Sequence, residues 1–263
     1  MYITCGQSTS INTRPSSGSN LVRSLFFWGY LSISSAFLFV VALAIWLVTT
    51  PFDRQRRILH KFTCWWAYHY MMVFPFWRLR IDNLDFIDEQ SPSILLANHQ
   101  SMGDILVLFG LRKHFKWVAK QSLFRIPFIG WNMKLNGYIS LNRTGLKSIK
   151  QMMHTCRRLL ESGSSVLLFP EGTRSLDGNL QSFKLGAFQL ACSAQVPITP
   201  IVLNGTFEAL PKSGWIFRNK APVDMEMNVL PPINPSVVDF DPLRLSALVH
   251  ATMQSELCRL RAK

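Results

Sequence analysis

A histidine and an aspartate whose side chains could share a proton stand five residues apart, at His99 and Asp104. They follow the apolar run Ser93–Ala97, which predicts a buried strand, so His99 lies where open α/β sheets bind ligands. Asp104 falls in the first turn of the next predicted helix, where its carboxylate can fold back onto the imidazole. Such a carboxylate fixes the ring tautomer and lets the other nitrogen remove a proton from a hydroxyl. The spacing also arises by chance, as a capping aspartate beside a surface histidine, so the pair alone is a weak signal.

A second segment, Phe169–Ser175, follows another apolar run and has the composition of an anion site. Pro170 ends the strand, and Gly172 permits a tight turn whose backbone N–H groups can face an anion. Thr173 adds a hydroxyl, and Arg174 adds a planar guanidinium that matches phosphate oxygens. Taken alone, an ordinary charged turn explains these residues equally well.

Together the two segments resemble motifs of the glycerolipid acyltransferase family, specifically of the 1-acylglycerol-3-phosphate (lysophosphatidic acid) acyltransferases. The first resembles the family's H-x-x-x-x-D motif, and the second resembles its F-P-E-G-T-R-S block. Gly137–Arg143 and Val196–Val202 are similar to two further blocks, and the blocks match in order. The resemblance covers roughly residues 79–235 and is far more specific than either segment alone.

The resemblance implies an acyl transfer without a covalent acyl-enzyme. His99 would act as general base on the free glycerol hydroxyl of a lysophospholipid, and Asp104 would orient and stabilise the imidazolium. The alkoxide would attack the thioester carbonyl of an acyl-carrier-protein or coenzyme A donor. With lysophosphatidic acid as acceptor, the product would be phosphatidic acid.

The resemblance also implies which residues bind the substrates. Pro197 and Pro200 belong to a strand near the acyl site. The predicted contacts to the acceptor's phosphate are Glu171, Gly172, Thr173, Arg174, Arg143 and Lys120. Because the sequence contains no G-x-S-x-G elbow, H-E-x-x-H helix, Walker A or G-x-G-x-x-G loop, we expect no metal and no bound cofactor. Glycerol 3-phosphate, another lysophospholipid or a lyso-aminolipid stays open as acceptor, and so does an inactive membrane scaffold on the same fold.

The charge balance predicts an anionic partner. The 263 residues carry a formal net charge of +13, which favours nucleic acid, an acidic lipid surface or a phosphorylated substrate. A nucleic-acid-binding module is not indicated, since the chain lacks an RNP1-like motif, a zinc finger and a concentrated basic stripe. The five cysteines are scattered without a C-x-x-C pair, which is typical of reduced thiols in a cytosolic domain.

The first fifty residues predict a membrane anchor. Residues 1–20 are polar and predicted to be a disordered tail, and residues 21–50 contain the uncharged run Leu25–Val48. This run exceeds the roughly 20 residues that cross a hydrocarbon core. The alternative is a cleaved signal peptide, but the run is longer than a usual apolar region and no A-x-A-like site follows. Basic residues concentrated after the run place the catalytic domain on the cytoplasmic side of the inner membrane.

The segment 51–78 predicts an interfacial or re-entrant helix. Its apolar part, Phe62–Trp77, is too short to span a bilayer and is rich in tryptophan and tyrosine, which suit the headgroup region. A buried core helix is the alternative.

The rest of the chain, residues 79–263, predicts one catalytic α/β domain. Helical patterns alternate with short apolar runs, which indicates a mixed, mostly parallel sheet covered by helices on both faces. The predicted strands are Ser93–Ala97, Trp117–Ala119, Tyr138–Leu141, Ser165–Phe169 and Ile198–Leu203.

Overall fold

The computed structural model describes residues 18–74, 76–142, 145–209, 216 and 222–262. Most of the predicted tail, residues 1–17, therefore lies outside the described residues. The helices are α1 (Gly18–Thr49), α2 (Arg57–Val73), α3 (Asp104–Phe109), α4 (Ile129–Leu135), α5 (Leu146–Glu161), α6 (Gly186–Ala194), α7 (Thr206–Ala209) and α8 (Pro242–Arg261). The strands are β1 (Trp77–Asp82), β2 (Ile94–Ala97), β3 (Phe115–Lys120), β4 (Ile139–Leu141), β5 (Ser165–Leu168), β6 (Ile198–Asn204) and β7 (Val223–Val229).

The strands form one seven-stranded sheet in the order β1-β7-β6-β2-β5-β3-β4. Strands β6, β2, β5, β3 and β4 are parallel to one another. Strand β7 runs antiparallel to β6 and parallel to β1. The sheet is thus mixed and mostly parallel, as predicted. Since β2 and β5 are neighbours, the two segments that follow them meet at one edge of the sheet.

Alternate side chains of the central strands pack into two apolar layers. In β2, Leu95 and Ala97 join the layer that contains α1, α2 and α3. Ile94 and Leu96 point the other way, to the layer that contains α5, α6 and α8. Helices therefore cover both faces, and the loops after β2 and β5 are held between two packed layers.

Helix α1 has one side buried against the protein and one side exposed. From Asn20 to Thr49 it is long and apolar enough to cross a membrane, with a mean hydropathy of 2.5. Its buried side includes Phe27, Leu38 and Ala42. These buried residues are spread along the helix, because α1 packs against α2 and α4. Its remaining surface is apolar and exposed.

Helix α2 occupies the segment predicted to be interfacial. Trp66, Tyr70 and Met71 are buried, whereas Trp65 and Met72 are exposed. One face of α2 is thus buried in the core, as expected for the alternative, a buried core helix. The other face exposes apolar residues, as expected for an interfacial helix.

Candidate active site

The side chains of His99 and Asp104 meet in the loop between β2 and α3. His99 Nδ1 lies 2.7 Å from Asp104 Oδ2, and the same oxygen accepts hydrogen bonds from the backbone N–H groups of Gln100 and Ser101 at 2.7 and 2.8 Å. Asp104 is fully buried and is the first residue of α3. Its carboxylate folds back onto the preceding loop, as the spacing predicted. The hydroxyl of Ser101 accepts a hydrogen bond from the N–H of Gly103 within the loop.

The imidazole of His99 is held in its plane by aromatic packing. Its ring centroid lies 3.9 Å from that of Phe169, and the two planes are inclined by 10°. Trp117 packs edge-on against the same phenyl ring, with centroids 5.6 Å apart. Nε2 of His99 makes no hydrogen bond to the part of the chain that the structure describes, and the side chain is 11% exposed. With Nδ1 bonded to Asp104, Nε2 is the ring nitrogen that can accept a further hydrogen bond.

The loop after β5 holds the backbone of His99 from both sides. Oε1 of Glu171 accepts a hydrogen bond from the N–H of His99 at 2.8 Å. The N–H of Ser175 donates to the carbonyl of His99, also at 2.8 Å. The structure thus brings together the two segments that the sequence singled out, and it does so through contacts to the main chain of the histidine.

Glu171 has a role inside the protein that sequence reasoning missed. Its second oxygen accepts hydrogen bonds from the backbone and side-chain nitrogens of Gln181, at 3.3 and 3.0 Å. The residue is 4% exposed, and burial raises the pKa of its carboxyl to about 7. Its hydrogen bonds hold the backbone of His99 in place, and the contact to the acceptor's phosphate stays a prediction.

The predicted turn at Gly172 is present, but the backbone N–H of Gly172 already donates a hydrogen bond within the protein. Gly172 has a positive φ of 72° and donates to the carbonyl of Phe169 at 3.2 Å. The stem of Lys184 crosses directly above it, since a Cβ at Gly172 would lie 2.8 Å from Lys184 Cε. The amino group of Lys184 is therefore brought beside the loop that carries Thr173 and Arg174.

The other predicted phosphate contacts lie along the same edge of the sheet. Thr173 is exposed and Arg174 half-buried in the loop after β5, while Lys120 is exposed at the end of the neighbouring strand β3. Arg143 lies outside the described residues. Arg174 and Lys184 thus lie in the segment between β5 and α6, and Lys120 lies at the end of β3, the strand next to β5.

An apolar cavity of about 370 Å³ opens between the two N-terminal helices and the sheet. It reaches Met102 and Gly103, which lie between His99 and Asp104 in the chain, and it extends inward to Tyr138 and Thr63. Its lining is almost entirely hydrophobic and comes from α1, α2, α3, β3 and α4. Sequence reasoning did not find it, because its walls are contributed by segments far apart in the chain.

Pro197 and Pro200 do not line this cavity. Pro200 pairs with Leu96 inside the sheet, and Pro197 lies just before β6, at the opposite end from His99. Their predicted link to the acyl site receives no support from their positions.

Comparison with known proteins gives consistent matches. The model of a family described as Acyltransferase matches residues 78–204. The 1-acyl-sn-glycerol-3-phosphate acyltransferase of Pseudomonas aeruginosa is 32% identical over 196 residues, which are 74% of this chain and 71% of the relative. The enzyme of the same name from Haemophilus influenzae is 32% identical over 193 residues, 72% of this chain and 78% of the relative.

Longer relatives and a solved structure also match. The chloroplastic 1-acyl-sn-glycerol-3-phosphate acyltransferase of Arabidopsis thaliana is 38% identical over 195 residues, or 73% of this chain. The match spans only 54% of that relative, so this chain covers about half of it. The crystal structure of PlsC, the 1-acyl-sn-glycerophosphate acyltransferase of Thermotoga maritima, superposes with a TM-score of 0.74 at 22% identity, covering 93% of this chain and 98% of that one. This last match concerns the fold alone.

Proposed function

Since this chain belongs to the 1-acyl-sn-glycerol-3-phosphate acyltransferase family, we propose that it acylates the free sn-2 hydroxyl of 1-acyl-sn-glycerol 3-phosphate. The acyl group comes from a thioester, and the product is phosphatidic acid. The observation that carries the proposal is the hydrogen-bonded His99–Asp104 pair, since Met102 and Gly103, which lie between the two residues in the chain, line an apolar cavity.

In this proposal His99 is the general base. Nε2 removes the proton of the sn-2 hydroxyl, and the resulting alkoxide attacks the thioester carbonyl carbon. When the tetrahedral intermediate collapses, the C–S bond breaks and His99 returns the proton to the leaving thiolate. Asp104 accepts from Nδ1 throughout, which fixes the tautomer and stabilises the imidazolium. No covalent acyl-enzyme is required.

The acceptor's phosphate is proposed to bind beside the loop after β5, which carries Arg174 and Lys184. Arg174 offers the paired N–H groups that match two phosphate oxygens, and Lys184 adds positive charge beside Gly172. Lys120 at the end of β3 is a further contact, and the sequence adds Arg143. This arrangement explains why an anionic headgroup would enter on the β5 and β3 side of His99.

The acyl chain is proposed to occupy the apolar cavity. A fatty acyl group is stabilised by burial in proportion to its apolar area, and this cavity offers an apolar lining that reaches the catalytic loop. The donor is an acyl carrier protein or coenzyme A thioester, whose polar part would stay outside while the chain enters. Placing the chain here sets the thioester carbonyl near Met102 and Gly103.

Attachment to the inner membrane is proposed through α1, with the catalytic domain in the cytoplasm, where acyl thioesters are available. The outer side of α1 exposes large apolar side chains, including Phe26, Ile33 and Phe37. Burying them in lipid would hold the protein through high-salt and carbonate washing, since this term is not screened by salt. A tag before residue 18 that is reached only from the periplasm would support a spanning α1. A tag reached only from the cytoplasm would support insertion of its exposed side alone.

An assay with the membrane fraction tests the function. Lysophosphatidic acid, glycerol 3-phosphate, other lysophospholipids and lyso-aminolipids are offered separately, each with acyl carrier protein and with coenzyme A donors. Phosphatidic acid formation that depends on His99 supports the proposal. Preference for another acceptor would reassign the substrate, and activity with none of them would favour an inactive scaffold.

A further inference from the structure

The oxygen of Asp104 that does not face His99 receives a hydrogen bond from a residue outside all four motifs. Thr206 is the first residue of α7, directly after β6, and it is fully buried. Its hydroxyl donates to Oδ1 of Asp104, while Oδ2 is the atom that contacts the imidazole. The two oxygens of one carboxylate are thus held by two different side chains.

A hydroxyl has one hydrogen, so Thr206 can donate to only one of two nearby acceptors. Oε1 of Gln100 lies 3.2 Å from the hydroxyl, and the carboxylate of Asp104 is closer. A charged acceptor forms the shorter and stronger bond, so the hydrogen belongs to Asp104. Gln100 is held independently, because its Nε2 donates to the carbonyl of Gly178 at 2.9 Å.

Close packing and hydrogen bonds fix the position of the backbone on both sides of Thr206. Gly205 has a φ of 83°, and a Cβ there would lie 2.1 Å from the carbonyl oxygen of Asp224, so only glycine fits. On the opposite side, Asn98 exchanges two hydrogen bonds with the backbone of Leu203, at 2.7 and 2.9 Å. The residue before His99 is therefore tied to the strand that delivers Thr206.

We propose that Thr206 is a positioning residue, which fixes the rotation of the Asp104 carboxylate so that Oδ2 points at His99. Without the hydroxyl, Oδ1 would be a buried acceptor with no hydrogen-bond donor among the described residues, and the carboxylate could rotate toward another donor. A turned carboxylate no longer holds the imidazole in the plane and tautomer that proton transfer needs. The inference rests on the proposed function, because it assigns Thr206 to the base pair used there.

Three variants separate this role from a loss of packing. Thr206→Val keeps the shape of the side chain and removes the hydroxyl, whereas Thr206→Ser restores a hydroxyl. Thr199→Val is the matched control, since Thr199 is equally buried in β6 and its hydroxyl donates to Ser93 at the far end of that strand. We expect kcat to fall about ten- to a hundredfold in Thr206→Val, which corresponds to one hydrogen bond to a charged group. KM for both substrates should stay nearly constant, Thr206→Ser should recover most of kcat, and Thr199→Val should retain it.

A second readout does not depend on turnover. Carbethoxylation of His99 by diethyl pyrocarbonate, followed by peptide mass spectrometry, reports at which pH the imidazole becomes neutral and reactive. A carboxylate that has turned away from the ring stabilises the imidazolium less, so the midpoint should move to lower pH in Thr206→Val. Glu171 and Asp104 contact His99, and Arg174 and Asp177 lie in the adjoining loop; all four are unchanged in every variant.

The outcomes distinguish the two proposals. A wild-type enzyme without acyl transfer refutes the function, and the pH midpoint of carbethoxylation still decides the role of Thr206. An active wild type with full activity and an unshifted midpoint in Thr206→Val overturns the inference. So does a Thr206→Ser variant as impaired as Thr206→Val, because that result assigns the effect to packing.

Discussion

The imidazole of His99 lies flat against the ring of Phe169, with their centroids 3.9 Å apart and their planes 10° from parallel. Phe169 directly follows β5, and His99 lies just after the neighbouring strand β2, so the stack joins the loops that leave these two strands. The first prediction follows from this contact. Phe169→Leu should lower kcat by about two- to tenfold. This change in rate corresponds to the free energy that one aromatic pair contributes. Phe169→Tyr should stay close to wild type, and steady-state kinetics of both variants would check this. An undiminished kcat in Phe169→Leu would show that the stack does not orient the base.

His99→Ala should abolish acyl transfer without releasing the protein from the membrane. Loss of a general base costs about two to four orders of magnitude, and Asp104→Asn should be severely impaired because an amide cannot stabilise the imidazolium equally. His154, an exposed histidine on α5, provides the matched control as His154→Ala. Acyl transfer is measured at equal expression in the membrane fraction. His99→Ala activity within a few-fold of wild type would refute the assigned base.

Arg174→Lys tests whether a planar guanidinium contacts the acceptor. The charge remains, but the paired N–H groups that match phosphate oxygens are lost. A charge-assisted hydrogen bond contributes roughly 1.5–3 kcal/mol, so kcat/KM for lysophosphatidic acid should fall about ten- to a hundredfold, largely through KM. The KM of the acyl donor should change little, and the same change at the exposed Arg157 of α5 should have no effect. If only donor binding weakened, the loop would belong to the thioester carrier.

Filling the apolar cavity should change which acyl chains are transferred. Ala67 lies on α2 and lines the cavity, so Ala67→Leu reduces the space without introducing a polar group. We expect kcat/KM for long acyl donors to fall relative to that for short donors. Competition between donors of different length measures this ratio. Ala251→Leu on the exposed side of α8 is the control, and a ratio that is equal in the two variants would place the acyl chain elsewhere.

Lys116 should make stability depend on pH. Its ammonium group is buried and donates to the backbone carbonyls of Gln55 and Asn136 at 2.6 and 2.8 Å. Burial lowers the pKa of Lys116 to about 7, well below its value in an unfolded chain. Between these two values the unfolded chain binds a proton that the folded protein has released, so stability should rise with pH above about 7.

Thermal unfolding in detergent at about pH 7 and about pH 9 measures this effect. The increase in Tm over this interval should be smaller in Lys116→Met, which cannot titrate, while Lys150→Met at an exposed site should follow the wild type. Identical increases in all three proteins would show that Lys116 does not titrate in this range.

The sequence by itself determined the features that depend on nearby residues. His99 and Asp104 are five residues apart, so a strand followed by a helix is enough to bring their side chains together. The N-cap of α8 is equally local. Asp241 accepts hydrogen bonds from the N–H groups of Leu243 and Arg244, just before Leu245, the first buried residue of the helix. The continuous apolar runs of the central strands were readable because both of their faces are buried.

Periodicity was less reliable where one face of an element is exposed. Helical periodicity would put Leu146 on the same face as the buried Cys156 and Leu160, but Leu146 is 79% exposed in the first turn of α5. The outer strands β1 and β7 escaped prediction because polar and charged residues interrupt their apolar ones. Their register places Arg78 opposite Asp224 and thereby explains the charges, but this pairing joins residues from opposite ends of the domain.

Only the tertiary structure decided how the His99–Asp104 pair is supported. Glu171 reaches the backbone of His99 across 72 residues, and Thr206 reaches Asp104 across 102 residues. The resemblance of Phe169–Ser175 to a family motif placed Glu171 among the predicted phosphate contacts, and only the tertiary structure shows that its buried carboxylate also bonds to the backbone of His99. A contact between distant segments depends on strand order and on which side of the sheet each loop emerges, and neither is encoded in local spacing. The cavity has the same origin, because its walls exist only once α1 and α2 have packed against the sheet.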